Sequence, residues 1–390
     1  MIPFNKPYMS GNELLFIKDA VESGKISGNG LFTKKVHDWF SKRYGFPKSL
    51  LTSSCTDALE MCAIAIDLKA GDEVIVPDYT FVSSANAFVM HGAKIVFADS
   101  RKDHPGVDED KLEGLITEKT KAIVVVHYAG VAVNMTKILQ VAKKHNLIVV
   151  EDAAQAIDSY YNDGIVSKPL GTFGDFATFS FHDTKNIISG EGGLLVVNNP
   201  DYFDLMEIIW EKGTNRNAFF KGEVNKYGWV EKGSSFLASE ITAAFLYAQL
   251  IKLDSIQSKR VQHWESYKTN LTPLASIDKD ILPVIPQFAT NNAHMFYLKT
   301  RSIDERESFI KYMKSNGIYV VFHYLPLHQS EFIAKTNWKQ SHDLNNSIRF
   351  AQTLVRLPMF VELTESQIEL ITNKILEFYE HGNAVRSVQS

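Results

Sequence analysis

Residues 176–193, FATFSFHDTKNIISGEGG, read as a β-strand that runs into a polar, glycine-bearing turn. Aromatic and β-branched residues alternate with their neighbours up to His182, with the period of two that a strand requires. Lys185 follows just beyond the end of this strand. A second run, LIVVEDAAQ at 147–155, starts as a buried strand and stops at Asp152. Because ligands of open α/β sheets bind beyond the carboxyl ends of strands, we expect Asp152 and Lys185 to share one crevice.

One chemically demanding function requires both a lysine and an aspartate at neighbouring strand ends, namely the binding of pyridoxal phosphate. The aspartate keeps the ring nitrogen protonated, so that the ring can absorb the electrons of a carbanion. The lysine forms a Schiff base, and desolvation and nearby positive charge lower its pKa toward that task. The alternative interpretation is that Lys185 is a surface lysine and that Asp152 caps a helix.

Length and composition indicate a globular protein with a large core. The chain has 390 residues, of which 45% are hydrophobic and 22% charged. This length predicts two or three domains. Lys and Arg number 41 against 45 Asp and Glu, which gives a net charge of −4. That balance argues against a dedicated nucleic-acid-binding protein.

Cysteine usage and apolar patterning argue against other classes. The chain has two cysteines, Cys55 and Cys62, without a CxxC pair or a histidine cluster at metal-ligand spacing. Neither a disulfide-stabilised secreted fold nor a metal site is therefore expected. The amino terminus lacks the regions of a signal peptide, and no run of about 18 apolar residues occurs. We expect a soluble, cytoplasmic protein with no membrane partner.

Strand and helix patterns alternate between residues 50 and 198, which is typical of a mostly parallel sheet covered by helices on both faces. After a long helical stretch the composition shifts toward proline and short strands, with strands predicted at 294–300 and 319–323. We therefore predict a large domain, residues 1–250, and a smaller α+β domain, residues 251–390.

Two loops carry candidate binding residues. The loop SGKISGNG at 23–30 contains Lys25 and either contacts a phosphate or simply connects two helices. The segment 213–235 is rich in Asn, Lys, Arg and Gly and has no periodicity, so we predict that it is irregular.

Small hydroxylated residues at 52–56 precede a predicted helix and suggest an anion site. Free backbone N–H groups and hydroxyls at a helix N-terminus converge on one point. Thr56 and the amide of Asp57 are the donors that we select. Alternatively, Ser54 or Thr56 only caps the helix. Phe81 follows a strand end, where it either lies over a planar cofactor or belongs to the core.

Taken in order over nearly the whole chain, the motifs resemble those of the DegT/StrS group, fold-type-I pyridoxal-phosphate aminotransferases that act on nucleotide-linked keto-sugars. The resemblance implies an α/β fold with a large, mostly parallel seven-stranded sheet domain and a smaller α+β C-terminal domain. A related branch has histidine in place of the lysine and performs dehydration, so Lys185 argues against that branch. The motifs are SSCTDALEM, GDEVIVPDYTFVSSANA, VVVHYAG, VVEDAAQA, FSFHDTKN, EGGLL and FHYLPLH.

The resemblance also implies roles for individual residues. Lys185 would be the Schiff-base lysine, and Asp152 would be the partner of the pyridine nitrogen. Gln155 would be a hydrogen-bond neighbour of the ring hydroxyl, and Phe81 would stack on the ring. The phosphate would be held by Thr56, the Asp57 amide and Ser180.

One position departs from the pattern of many relatives. They read GYNYRMSE where this chain reads GSSFLASE, and their asparagine reaches the phosphate from the partner subunit. Ser235 stands at that position, and its hydroxyl can still donate a hydrogen bond. The resemblance therefore implies a homodimer with shared active sites.

Within the group, the motifs SGNG, EKGTNR and NAHMFY are most similar to dTDP-4-amino-4,6-dideoxygalactose transaminases. This similarity implies transfer of the amino group of L-glutamate to C4 of dTDP-4-keto-6-deoxyglucose, toward a surface polysaccharide such as lipopolysaccharide O-antigen or enterobacterial common antigen. Candidate contacts to the sugar nucleotide are Lys25, Arg216 and His323. The alternatives are the 4-amino gluco epimer, a sugar 3-aminotransferase, and a non-enzymatic regulatory protein with the same fold.

Overall fold

The structure of the chain, a computed structural model, describes residues 1–165, 167–338 and 342–387. The helices are α1 (Glu13–Glu22), α2 (Leu31–Tyr44), α3 (Cys55–Ala65), α4 (Ser83–Val89), α5 (Met135–His145), α6 (Phe203–Trp210), α7 (Arg216–Lys221), α8 (Glu240–Leu250), α9 (Leu253–Leu271), α10 (Ile303–Ser315), α11 (Glu331–Ala334), α12 (Asn345–Thr353) and α13 (Glu365–Ser387). The strands are β1 (Lys48–Thr52), β2 (Glu73–Pro77), β3 (Lys94–Ala98), β4 (Thr120–Val126), β5 (Ile148–Asp152), β6 (Tyr160–Asn162), β7 (Ser167–Pro169), β8 (Phe176–Ser180), β9 (Gly193–Val197), β10 (Tyr297–Lys299) and β11 (Leu354–Arg356).

The main sheet has seven strands in the order β1-β9-β8-β5-β4-β2-β3. The pairs from β8 to β3 are parallel, whereas β9 runs antiparallel to both β1 and β8. Every residue of β2 and β9 is buried. Strands buried along their whole length are expected when both faces of a sheet are covered. The predicted mostly parallel, seven-stranded α/β fold is confirmed.

Helices cover both faces of this sheet. Successive strand side chains point to opposite faces, so Ile123 of β4 joins one apolar cluster and Val124 joins the other. One cluster contains side chains of α2, α5 and α8, and the other contains side chains of α3, α4 and α6. The sheet is therefore the middle layer of three, with the carboxyl ends of β5 and β8 at one edge.

Glu240, the first residue of α8, anchors the start of α2. Its buried carboxylate accepts hydrogen bonds from the backbone N–H groups of Gly30, Phe32 and Thr33 at 2.9, 2.6 and 3.1 Å. These N–H groups lie at a helix N-terminus, where they lack intrahelical partners. The contact therefore fixes the loop that contains Lys25 against α8.

The C-terminal part of the chain has its own apolar cluster. Trp264 of α9, Phe309 of α10 and Ile371 of α13 pack together there. Strands β10 and β11 form an antiparallel pair beside this cluster. Because α8 ends at Leu250 and α9 starts at Leu253, a domain boundary near residue 250 falls between helices, although the boundary itself stays a prediction.

Two segments differ from the sequence-based expectation. The strand predicted at 319–323 makes a single bridge, between Val321 and Arg356. The N–H of Tyr319 instead donates to the carbonyl oxygen of Ile2, so the segment is shared between two partners and no ladder forms. The segment predicted to be irregular at 213–235 contains the short helix α7. Within the described residues, no helix is both long and apolar enough to cross a membrane.

Candidate active site

A cavity of about 720 Å³ opens where β5 and β8 end. Residues Asp152 and Thr178 are paired across these two parallel strands, which brings both strand ends to one edge. Asp152 and Lys185 both line this cavity. The other predicted site residues that line it are Thr56, Phe81, Gln155, Ser180 and His323.

The carboxylate of Asp152 is 5% exposed and held by two donors. The hydroxyl of Ser84, in α4, donates to its Oδ2 at 2.6 Å. The backbone N–H of Ala154 donates to its Oδ1 at 3.1 Å. A carboxylate fixed in this way keeps lone pairs free to accept a hydrogen bond from a cationic ring N–H. This donor set fits the pyridinium partner that pyridoxal phosphate needs.

Lys185 lies in the tight loop between β8 and β9. The loop is closed by backbone hydrogen bonds from Lys185 N–H to the carbonyl oxygen of His182 at 2.9 Å and from Ser189 N–H to that of Phe181 at 2.7 Å. Burial lowers the pKa of Lys185, while Cys55 and Asp152 act in the opposite direction. A lysine with a lowered pKa is more often neutral, which is the form that acts as a nucleophile or base.

The predicted anion site lies at the start of α3. Ser54 caps this helix, since its hydroxyl accepts the Asp57 N–H at 3.0 Å. The hydroxyl of Thr56 donates to the hydroxyl of Ser83 at 2.8 Å. Ser54 therefore caps α3, as the alternative interpretation predicted. Thr56 also lines the cavity, whereas Asp57 does not.

Gly193, the first residue of β9, allows the sheet to approach this helix start closely. A Cβ atom at Gly193 would lie 2.3 Å from the carbonyl carbon of Ser54 and 2.4 Å from the backbone nitrogen of Cys55. Real Cβ atoms do not tolerate such distances to backbone. The glycine of the EGG motif is thus required by packing at the cavity wall.

Gln155 and Phe81 lie on other walls of the cavity. Gln155 accepts the Ala129 N–H at 2.6 Å through Oε1 and donates to the hydroxyl of Tyr324 at 3.0 Å through Nε2. Phe81 is 55% exposed, and its ring centre lies 6.2 Å from that of Tyr324. An exposed aromatic face beside a cavity is available to stack on a planar group.

His323 contacts two aromatic residues. Its ring stacks on Tyr324 at 3.5 Å between centres, and its Nδ1 lies 2.6 Å from the hydroxyl of Tyr128. Burial holds the pKa of His323 well below its usual range, with a smaller contribution from Arg356. The imidazole is therefore neutral at physiological pH.

Lys25, Arg216 and Ser235 do not line this cavity, but they lie together around Glu211. Lys25 Nζ donates to the carbonyl oxygen of Asn29 at 2.7 Å, and Asn29 Nδ2 donates to Glu211 Oε1 at 3.2 Å. Arg216 Nη1 lies 3.7 Å from Glu211 Oε2. The backbone of Ser235 forms a β-bridge with that of Glu211. We call these five residues the Glu211 cluster.

The sequence-based selection of site residues missed two residues that line the cavity, Tyr324 and Arg356, and one that contacts Asp152, Ser84. Ser84 does not line the cavity and acts through Asp152, and it is one of two adjacent serines in the motif VSSANA. Tyr324 lies next to the selected His323 in the motif FHYLPLH, so that motif could have indicated it. Arg356 is the first residue of the segment RLPMF at 356–360, which has no catalytic pattern of its own.

The comparisons with known proteins agree with this geometry. A GDP-perosamine synthase of Escherichia coli O157:H7 is 30% identical over 387 residues, covering 97% of this chain and 98% of the relative. A pleiotropic regulatory protein of Geobacillus stearothermophilus is 34% identical over 328 residues, covering 84% and 83%. A Streptococcus pneumoniae structure assigned as a sugar aminotransferase in its PMP form has a TM-score of 0.88 and 25% identity, with 98% of this chain and 100% of that chain covered.

The family assignment rests on almost the full length of the chain. The model of the DegT/DnrJ/EryC1/StrS aminotransferase family matches residues 7–376. The Streptococcus pneumoniae protein has also been solved in its PLP form, with a TM-score of 0.87. The lysine and aspartate that such a cofactor needs line one cavity here. The chain therefore belongs to the DegT/DnrJ/EryC1/StrS family and is a pyridoxal-phosphate-dependent aminotransferase.

Proposed function

We propose that this enzyme transfers the amino group of L-glutamate to C4 of dTDP-4-keto-6-deoxyglucose and so makes dTDP-4-amino-4,6-dideoxygalactose. The observation that supports an aminotransferase reaction is that Lys185 and Asp152 line the same cavity. A sugar substrate and the C4 position are supported by the relative that is a GDP-perosamine synthase, because perosamine is a 4-amino sugar. The dTDP nucleotide and the galacto epimer are supported by the motif resemblance.

Several residues of the cavity would hold the cofactor. Lys185 Nζ would bind it covalently, and Asp152 would accept a hydrogen bond from its ring nitrogen. Gln155 would lie beside the ring hydroxyl, and Phe81 would cover one ring face. The phosphate donors would be Thr56 and Ser180, together with Ser235 of the partner subunit. The Asp57 amide would donate as well, sharing its hydrogen with the Ser54 hydroxyl.

The bound cofactor supplies an electron sink for the bond cleaved at the donor carbon. The proton transfers would depend on side chains of the enzyme. Lys185, with a pKa lowered by burial, would accept a proton from the donor carbon and later return one to C4 of the sugar. The face of the sugar ring that receives this proton sets the epimer of the product.

We further propose a homodimer in which the Glu211 cluster of one subunit completes the site of the other. The surface beside this cluster carries large exposed aromatic residues, with Phe220 73% and Trp229 83% exposed. Apolar surface of this kind marks a protein interface. Lys25 and Arg216 would then reach the diphosphate of the sugar nucleotide, and His323 would contact the sugar.

The proposed location is the cytoplasm, because nucleotide sugars are made and used there. The product would be consumed by synthesis of a surface polysaccharide such as O-antigen or enterobacterial common antigen.

Product analysis tests the proposed reaction. The purified enzyme is incubated with pyridoxal phosphate, L-glutamate and dTDP-4-keto-6-deoxyglucose, and the sugar product is examined by NMR. An axial amine at C4 is the expected result. An equatorial amine would overturn the galacto epimer, and conversion of a GDP-linked 4-keto sugar in place of the dTDP sugar would overturn the nucleotide.

A further inference from the structure

His294, in the motif NAHMFY, lies on the wall of the cavity that contains Lys185. It is 8% exposed, and its Nδ1 lies 2.8 Å from Oδ1 of Asn186, the residue that follows Lys185. Lys185 acts electrostatically on the imidazole, so the two side chains lie near each other. His294 therefore contacts the Lys185 loop on one side and borders the cavity on the other.

A backbone carbonyl fixes the orientation of the Asn186 amide. Nδ2 of Asn186 donates to the carbonyl oxygen of Asn292 at 2.9 Å and to Oε1 of Gln257 at 2.8 Å. A backbone carbonyl only accepts hydrogen bonds, so the group that faces Asn292 must be the NH2 of the amide. The amide oxygen Oδ1 therefore faces His294.

The amide oxygen in turn fixes the tautomer of His294. An amide oxygen cannot donate, so Nδ1 of His294 must carry the hydrogen. Burial holds the pKa of His294 well below its usual range, with further contributions from Lys185, Arg260 and Arg356, so the ring is neutral. A neutral imidazole has one N–H group, which leaves Nε2 with a free lone pair. Among the described residues this Nε2 has no hydrogen-bond partner.

The segment that contains His294 is held by a buried network. The guanidinium of Arg260 donates to the carbonyl oxygens of Ala293 and His294 at 3.1 and 2.7 Å. The side chain of Asn292 accepts the His294 N–H at 3.0 Å and donates to the carbonyl oxygen of Gln155 at 2.8 Å. A satisfied network of this kind is rigid, so the acceptor Nε2 keeps its position in the cavity wall.

We propose that His294 is a positioning residue for Lys185, whose Nζ donates a hydrogen bond to Nε2 of His294 whenever the lysine is not bonded to the cofactor. In the proposed reaction Lys185 Nζ accepts a proton from the donor carbon and becomes an ammonium group. A neutral imidazole accepts a hydrogen bond from this group without the charge of a carboxylate, so the lysine can still release its proton. The inference rests on the proposed function in one respect, because it requires Lys185 to carry this proton.

Replacement of His294 by asparagine separates the hydrogen bond to Lys185 from the contact with Asn186. The NH2 group of an asparagine can take the place of Nδ1–H toward Asn186, whereas no atom takes the place of Nε2. His263→Asn is the matched control, because His263 is also buried, with Nε2 3.2 Å from the carbonyl oxygen of Val361, but does not line the cavity.

The loss of Nε2 should change the protonation of Lys185 in the cofactor-free protein. Burial lowers the pKa of Lys185, Cys55 and Asp152 oppose this shift, and Arg356 adds to it. Without the acceptor the ammonium form is less stable, so the pKa of Lys185 should fall further in His294→Asn. A larger fraction of the lysine is then neutral at pH 7.

The rate at which the cofactor-free, full-length protein captures pyridoxal phosphate measures this fraction, because only the neutral amine attacks an aldehyde. We expect His294→Asn to move the pH midpoint of the capture rate down by about one pH unit, with capture about 10-fold faster below that midpoint. The control His263→Asn should match the wild type. Loss of a merely structural contact would slow capture, so unchanged or slower capture by His294→Asn would overturn the inference.

The tautomer of His294 can be measured without any variant activity. Long-range ¹H–¹⁵N NMR of the histidine-labelled, cofactor-free wild type, with the His294 signals assigned by their loss in His294→Asn, should show the hydrogen on Nδ1. A hydrogen on Nε2 would overturn the inference.

Single-turnover kinetics of the holoenzyme distinguish Lys185 from a substrate hydroxyl as the donor to Nε2. We expect His294→Asn to slow the glutamate half-reaction at least about 10-fold although it captures the cofactor faster. A loss confined to the sugar half-reaction would identify a sugar hydroxyl as the donor and overturn the inference. The capture and glutamate experiments need no sugar, so an enzyme that reacts with glutamate and aminates no dTDP sugar would refute the proposed substrate and leave this inference standing.

Discussion

The hydroxyl of Ser84 donates a 2.6 Å hydrogen bond to the buried carboxylate of Asp152. The contact joins the first turn of α4 to the carboxyl end of β5, so two elements far apart in sequence fix one functional oxygen. The same hydroxyl lies 3.0 Å from that of Thr80, which orients it further. A short hydroxyl-to-carboxylate bond orients the carboxylate for a second partner on the cavity side.

Ser84→Ala should weaken cofactor binding about 10-fold, because a hydrogen bond to a charged group is worth about 1.5–3 kcal/mol. Titration of the cofactor-free protein with pyridoxal phosphate, followed by absorbance, measures the dissociation constant. Ser276→Ala, which removes an exposed hydroxyl that donates to the carbonyl oxygen of Pro273, serves as the control. Equal affinity of the Ser84 variant and the wild type would show that the bond does not orient Asp152 for the cofactor.

Gly193→Ala should destabilise the protein by about 1–3 kcal/mol, because the added methyl group meets the backbone at Ser54. Cofactor affinity should fall with it, since the start of α3 must shift. Urea unfolding measures the first effect and absorbance titration the second. Gly114→Ala is the matched control, because a Cβ there meets no atom within 4 Å. A Gly193 variant as stable as the Gly114 variant would refute the close approach.

Lys185→Met should raise the melting temperature of the cofactor-free protein at neutral pH. Burial lowers the pKa of Lys185, so the folded state disfavours the charged lysine more than the unfolded state does. This penalty is complete below the folded pKa and disappears as pH rises past the unfolded value of about 10.4. The stabilisation should therefore shrink between pH 7 and pH 10, and a pH-independent difference would contradict the assignment.

Arg216→Ala should raise the KM for the sugar nucleotide about 10-fold while the glutamate half-reaction stays unchanged, because the lost contact is to a diphosphate. Steady-state kinetics with each substrate varied in turn make the comparison. Lys268→Ala, which removes a cation that lies 5.5 Å from the ring centre of Trp264 on α9, is the control. Equal effects on both substrates would place Arg216 outside the sugar-nucleotide site.

The residues that bear the chemistry could be predicted from the sequence, because they follow strong patterns. Asp152 is the last residue of one apolar strand and Lys185 lies in the loop after another, and parallel strands bring their carboxyl ends to one edge. The alternation of strand and helix patterns before residue 198 likewise predicted the sheet and the helices on both of its faces. Such features depend on residues that are close together in the sequence.

Other parts of the site depend on contacts between distant segments. Arg356 lies on a three-residue strand, too short to show a period, and its place in the cavity depends on Lys185 and Phe4, which are distant in sequence. The predicted strand at 319–323 is rich in aromatic and β-branched residues, but its hydrogen-bond partners are split between Ile2 and Arg356. Whether Thr56 only caps a helix or can also bind an anion depends on whether it faces the cavity. No local pattern encodes these arrangements.

Borohydride reduction of the holoenzyme, followed by peptide mass spectrometry, shows which lysine bears the cofactor. The structure places Lys185 Nζ in the cavity with Asp152, and we predict that the reduced cofactor is found on Lys185. The Lys185→Ala variant should bear no cofactor after reduction and should lose turnover by at least about 1000-fold. A cofactor attached to another lysine, or full turnover of the Lys185 variant, would contradict the account.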